Sequence, residues 1–180
     1  MSFDFRKGLV GPVKSVTIYI AEFTRQNNEY REGPKMLSQA INFSPNQDSI
    51  EDITYSGDGT VHLREVFTVE ADSTKSIIER FKANGQLRDR WLVTYDQDGK
   101  RTVAEGYDAG GKFLGRSVNH DDETSNAFTV NEPDISESVE REFDAFGNWI
   151  REIKFQKSTD GQVGMIPIIA TYRTISYFQH

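Results

Sequence analysis

The chain has 180 residues, 36% of them hydrophobic, and 21 Lys and Arg against 28 Asp and Glu give a formal charge of −7. That length suits a single domain, here 1–180, and the acidic balance repels phosphate backbones and so argues against nucleic-acid binding. Cysteine is absent, which excludes disulfides and thiolate metal sites, and no apolar run reaches the roughly 18 residues that a membrane-spanning helix needs.

In chain order, residues 1–11 form a lead-in. Its start, Met1 to Gly8, lacks the basic-then-apolar form of a signal peptide. As written the chain reads as cytoplasmic, or as extracytoplasmic if a leader was removed. Lys14 to Phe23 is the first strand, with Val16, Ile18 and Ile20 alternating with Ser15, Thr17 and Tyr19. Residues 24–34 are polar, contain Gly33-Pro34 and read as a long hairpin loop. Met36 to Phe43 is the next strand.

From there a repeat sets in. An aromatic residue is followed four positions later by glycine at Tyr55/Gly59, Phe81/Gly85, Tyr95/Gly99, Tyr107/Gly111 and Phe143/Gly147. Phe43, Tyr55, Phe67, Phe81, Tyr95 and Tyr107 follow one another at intervals of 12 to 14 residues. Each interval reads as one strand plus one tight turn. Aspartates or asparagines in the turn can bond nearby amides, and the glycine supplies a positive φ, as in a type I turn closed by a left-handed residue. Parallel pairing would need longer crossovers. Strand faces alternate accordingly: Leu87, Trp91, Val93 and Tyr95 lie opposite Arg88, Arg90 and Thr94, while Trp149 and Ile153 share a side with Arg151.

The polar, acidic stretch 119–138 interrupts the repeat as a long exposed loop, with a short strand expected at Ala127–Val130. A second loop spans Lys157 to Gly164. Met165 to Phe178 is the closing strand, and Pro167 within it marks an edge position or a bulge. The expectation is all-β: an antiparallel meander of about 10–11 strands built from 12–14-residue strand–turn repeats, without a helix. Accumulated twist in so long a meander predicts a strongly curved sheet or a barrel.

The segments Tyr95-Asp96-Gln97-Asp98-Gly99-Lys100 and Tyr107-Asp108-Ala109-Gly110-Gly111-Lys112 resemble YD repeats, the units of RHS- and teneurin-type proteins. Phe143-Asp144-Ala145-Phe146-Gly147-Asn148-Trp149 is similar, with Phe for Tyr. The likeness covers about residues 43–156. The flanks Gly11 to Val16 and Tyr172 to Phe178 resemble those of small bacterial YD-like proteins. The resemblance implies a β-sheet surface used for enclosure or protein contact and carries over no catalytic residues. A chain of this length is too short to form the closed RHS shell by itself. MORN-type repeats share the hairpin architecture but place their glycines differently.

Asp58, Asp96, Asp98, Asp108 and Asp144 have metal-ligand chemistry, yet their turn positions explain them, and no calcium-loop spacing is met. His120 with Asp121, Asp122 and Glu123 is the most metal-like grouping, and an acidic solvated loop accounts for it. His62, His120 and His180 share no ligand spacing. Neither an activated nucleophile nor a tuned acid/base pair can be assembled, so no catalytic residue, metal or cofactor is assigned. Arg88, Arg90, Trp91, Tyr95, Trp149 and Arg151 are the candidate binding residues, being of the types enriched in interface hot spots. Packing in the core is the competing role for the two tryptophans. The expected function is a non-enzymatic binding or scaffold module with a protein partner. The alternatives are a carrier holding a small apolar or lipid ligand inside the curved sheet, and an enzyme acting through the 119–138 loop.

Overall fold

A computed structural model of the chain describes residues 8–27, 29–46, 48–70, 74–97, 100–118, 137–157 and 164–179. The recurring hairpin is its unit of construction. At the first copy Ser56 N–H donates to Thr60 O at 2.8 Å, Gly59 N–H donates to Ser56 O at 2.8 Å, and Gly59 sits at φ +81°. That is a type I turn completed by a left-handed residue, and a Cβ at Gly59 would be strained by its φ. Gly85, Gly111 and Gly147 repeat the conformation at φ +80°, +85° and +86°. Gly99 lies outside the described residues. In every copy the ladder shifts by one residue at the aromatic, which pairs with the residue six positions on: Tyr55 with Val61, Phe81 with Leu87, Tyr95 with Arg101, Tyr107 with Phe113, and Phe143 with Trp149. The repeat is therefore a turn with a bulge, which lets each hairpin twist without losing register beyond it.

Among the described residues twelve strands result: β1 (Val13–Gln26), β2 (Glu29–Glu32), β3 (Met36–Phe43), β4 (Ser49–Tyr55), β5 (Val61–Val69), β6 (Lys75–Phe81), β7 (Leu87–Tyr95), β8 (Arg101–Asp108), β9 (Phe113–Val118), β10 (Glu137–Phe143), β11 (Trp149–Lys157) and β12 (Met165–Tyr177). They form one antiparallel sheet in the order β10-β11-β12-β1-β3-β4-β5-β6-β7-β8-β9, with β2 paired to the far end of β1. No helix occurs among the described residues. The expected strand at Ala127–Val130 falls outside them.

Two expectations are corrected. Among the described residues the strand count is twelve, because 24–34 is not a loop: β1 runs on to Gln26, turns at Asn27 (φ +51°), and returns as β2 with Phe23 opposite Glu32. A ribbon with both faces in water can carry polar side chains, so composition hid it. Most of the expected loop at about 119–138 lies outside the described residues, and β10 begins at Glu137. Finally, the sheet is neither closed into a barrel nor strongly curled. Eleven strands alternate in direction along the path, so its two end strands, β9 and β10, run the same way. Antiparallel pairing, the mode of every other neighbour, cannot join them.

Pro167 sits at a bulge, with Phe155 opposite Pro167 and Lys154 opposite Ile169. The ladder between β1 and β12 stops at Ile169, so the missing N–H of Pro167 breaks no bond to β1.

The core occupies one face. Cross-strand partners run Val16–Ile41 and Phe43–Ile50–Phe67–Ile78–Trp91 from β1 to β7, and Val16, Ile41, Phe43, Ile50 and Phe67 are buried together with Val13. One polar bracket ties the chain's two ends to the turn between β10 and β11. Asn148, fully buried, accepts from Val10 N–H (2.6 Å) and donates to Val10 O (2.9 Å) and Tyr177 Oη (2.8 Å). The Tyr177 hydroxyl in turn donates to Asp144.

Candidate functional site

The apolar row Phe67–Ile78–Trp91 does not continue across β8 and β9. Its next two positions are Gly106, opposite Trp91, and Gly115, opposite Gly106. The Trp91 indole lies over Gly106 so closely that a Cβ there would meet its Cζ2 at 2.8 Å, whereas a Cβ on Gly115 would meet nothing within 4 Å. The indole thus fills the place of a Gly106 side chain, and the core face ends beyond it in a trough over Gly115 whose inner wall is Trp91. Its volume is about 620 Å³. Val93 and Ala104 line it on one side, Glu65 and Arg80 on the other, and Arg101 and Ser117 toward β9.

Trp91 is held in place by charge. Its Nε1–H donates to Asp89 Oδ1 at 3.0 Å, the same oxygen takes Arg80 Nε at 2.7 Å, and Arg88 Nε donates to Oδ2 at 2.8 Å. The Arg80 guanidinium also stands 5.3 Å from the Trp91 ring. Burial alone would push the Asp89 carboxyl up, but the donors from Arg88 and Arg80 outweigh it and hold its pKa below the ordinary value. Next along this row Glu65 faces Asp52. Burial raises the pKa of both. For Asp52, two bonds of 2.9 Å from Gln39 Nε2 offset burial in part. For Glu65, Arg80 works against burial while Asp52 and Asp89 add to it.

The sequence-derived binding residues do not form one patch. Trp91 walls the trough and Arg88 braces it through Asp89. Arg90 points the other way and pairs with Glu79 at 2.5 Å. The Tyr95 hydroxyl lies 3.0 Å from Ser76 Oγ. Trp149 and Arg151 belong to β11, seven strands from β7 along the sheet. Trp149 is capped by the Arg173 guanidinium at 3.4 Å, and burial lowers the Arg173 pKa.

Arg151 belongs to a cluster on the face away from the core. It donates to Tyr172 Oη (3.2 Å) and Glu142 (2.7 Å) and lies 3.6 Å from Glu32, while Lys35 Nζ stands 3.4 Å over the Tyr172 ring. The hydrogen bonds to Tyr172 and Glu142 raise the Arg151 pKa further, and burial with the bond to Glu32 raises that of Tyr172. These charges cancel within the cluster, which fastens β2 to β11 and β12.

Residue types alone missed Gly106 and Gly115. The available signal was glycine inside a strand instead of at its turn, where close approach of another group is the usual reason. Among the described residues no group of three His, Asp or Glu is placed to hold a metal, and the His120 grouping lies outside them.

The two edges differ in chemistry. β9 exposes Phe113, Leu114 and Val118, and residues 109–118 contain Lys112 and Arg116 but no acid. Residues 137–144 contain Glu137, Glu140, Glu142 and Asp144 against Arg141 alone.

No protein-family model matches this sequence, and no curated protein matches it. Among solved structures it is similar to a porin-like protein from Bacteroides uniformis ATCC 8492, at 8% identity and a TM-score of 0.36, over 93% of this chain and 99% of that one. A score that low assigns neither fold nor role to this chain.

Proposed function

We propose that the protein is a non-enzymatic binding module that takes an extended segment of a protein partner along the β9 edge by strand addition. The observation that carries this is the juxtaposition of an apolar, acid-free edge strand with a trough that opens beside it over Gly115 and is walled by Trp91. Backbone groups of an edge strand supply hydrogen bonds to any added strand, and pockets beside it select side chains. A strand laid next to β9 would send alternate side chains over Gly115 toward Trp91. The recurring ring-to-glycine hairpin also supports kinship with YD-repeat proteins, whose sheets serve protein contact.

The test uses a phage-displayed library of random twelve-residue peptides and backbone NMR of the protein with the selected peptides. Shifts centred on Phe113–Val118 and on the Trp91 indole are expected. Selected peptides that perturb another surface, such as the Tyr172 cluster, would refute the reading.

The carrier reading draws on the same trough, whose walls Phe67, Ile78, Trp91 and Val93 are apolar. An open sheet leaves one side of a small ligand in water, which favours the strand-binding reading. A hydrophobic ligand retained in native mass spectrometry of freshly purified protein would reverse that preference.

A further inference from the structure

Resting on the β9 reading, we infer that the segment β9 receives is β10 of a second copy of this chain, in a parallel, head-to-tail arrangement. Two facts of topology and charge lead there. Following cross-strand partners along the sheet, Arg116 faces Glu105 and Glu105 faces Leu92, while Glu142 faces Arg151 and Arg151 faces Tyr172. All lie on the face away from the core, and Glu140 shares it by alternation along β10. Arg116 and Glu142 already pair at 3.4 Å with Glu105 and at 2.7 Å with Arg151, yet their side chains stay 55% and 59% exposed.

Six edge-to-edge pairings are possible between two copies. Joining like edges in parallel turns the second copy over and puts the core faces on opposite sides of the joined sheet. Joining β9 to β9 in antiparallel fashion brings Arg116 toward its own duplicate, and joining β10 to β10 does the same for Glu140 and Glu142. Like charges facing each other across a ladder are destabilising. Joining β9 to β10 in antiparallel fashion turns the second copy over, so that the basic and acidic side chains point to opposite sides of the sheet. Parallel β9-to-β10 addition keeps the same face up and sets Arg116 beside Glu140 and Glu142, with Phe113 and Leu114 near the exposed Val139 and Phe143. Within one chain the same contact would close a barrel. The edges stand ten strand spacings apart, about 48 Å along the sheet, and a neighbouring copy supplies the strand instead. Such a contact is heterologous and propagates into rings or filaments.

The test is light scattering coupled to size exclusion on the wild-type chain over a concentration series. Mass should rise from that of one 20.5 kDa chain through successive multiples. It should fall back as salt cuts the Debye length from about 10 Å at 0.1 M to about 3 Å at 1 M. An Arg116→Glu variant and a Glu140→Lys, Glu142→Lys variant should each remain single chains, and their mixture should assemble again. A wild-type chain that stays at 20.5 kDa throughout overturns the inference, and so does a β10 variant that still dimerises, which would mark pairing between β9 strands. If the chain stays single while peptides still shift the β9 amides, the strand-acceptor reading stands and the self-assembly inference alone falls.

Discussion

Replacing Gly106 by Ala should destabilise the fold through Trp91. The added Cβ would lie 2.8 Å from Cζ2, 2.9 Å from Cη2 and 3.0 Å from Cε2 of the indole, so the ring must move. Moving it strains or breaks the 3.0 Å bond from Nε1–H to Asp89 and shifts the ring from beneath Arg80. Overpacking of this kind costs about 1–3 kcal/mol. Ala opposes that by roughly 0.5–1 kcal/mol through the lower entropy of its unfolded chain. The net loss is about 0.5–2 kcal/mol, read as a lower urea midpoint with unchanged slope. Gly115→Ala is the control. Its Cβ meets nothing within 4 Å, so the same entropy term should leave it neutral or stabler by up to about 1 kcal/mol. Gly106→Ala should also alter the fluorescence of Trp91, and in a double-mutant cycle with Trp91→Leu the penalty at Gly106 should largely disappear. A Gly106→Ala protein as stable as Gly115→Ala, with unaltered emission, would refute the account of the trough.

Further expectations concern the core bracket and the charged row. Asn148→Ala removes a fully buried side chain that bonds the N–H and O of the exposed Val10 and the Tyr177 hydroxyl, which should cost about 1–3 kcal/mol by urea unfolding; a loss under about 0.5 kcal/mol would show that the bracket holds nothing. Asp52→Asn and Glu65→Gln should stabilise the protein at pH 7. Folding raises both pKa values, so each carboxylate subtracts stability above its folded pKa, and the subtraction vanishes below its unfolded value. The gain should therefore be absent near pH 3, as unfolding at the two pH values will check. Asp89 is the opposite case. Its lowered pKa means it adds stability above its unfolded value and loses it as pH falls through the folded one, so Asp89→Asn should weaken the fold at pH 7 and matter little at the lowest pH.

How much could be read from the chain follows from what is local. The ring-to-glycine interval specifies a turn by chemistry within five residues, and Gly59, Gly85, Gly111 and Gly147 adopt the expected left-handed conformation. Pro167 marked its bulge for the same reason. What escaped was non-local or rested on an atom's absence. Turn chemistry cannot reveal that β12 returns to lie beside β1. Nor does it show that an odd number of strands along the path sets the two edges parallel and leaves the sheet open. Grouping Trp91 with Trp149 relied on residue type, whereas six strands lie between β7 and β11. The trough opens because Gly115 lacks a side chain, and Trp91 walls it because Gly106 lacks one, a signal legible only once their strands are in register.

Residue-resolved hydrogen exchange on the dilute chain in high salt bears most directly on the claim that β9 is an unoccupied sheet edge. Alternate amides from Phe113 to Val118 should exchange nearly as fast as unfolded peptide, while the amides of β7 and β8 stay protected. Uniform protection along both β9 and β10 in the isolated chain would contradict it, because it would mean that the two strands already have partners on both sides.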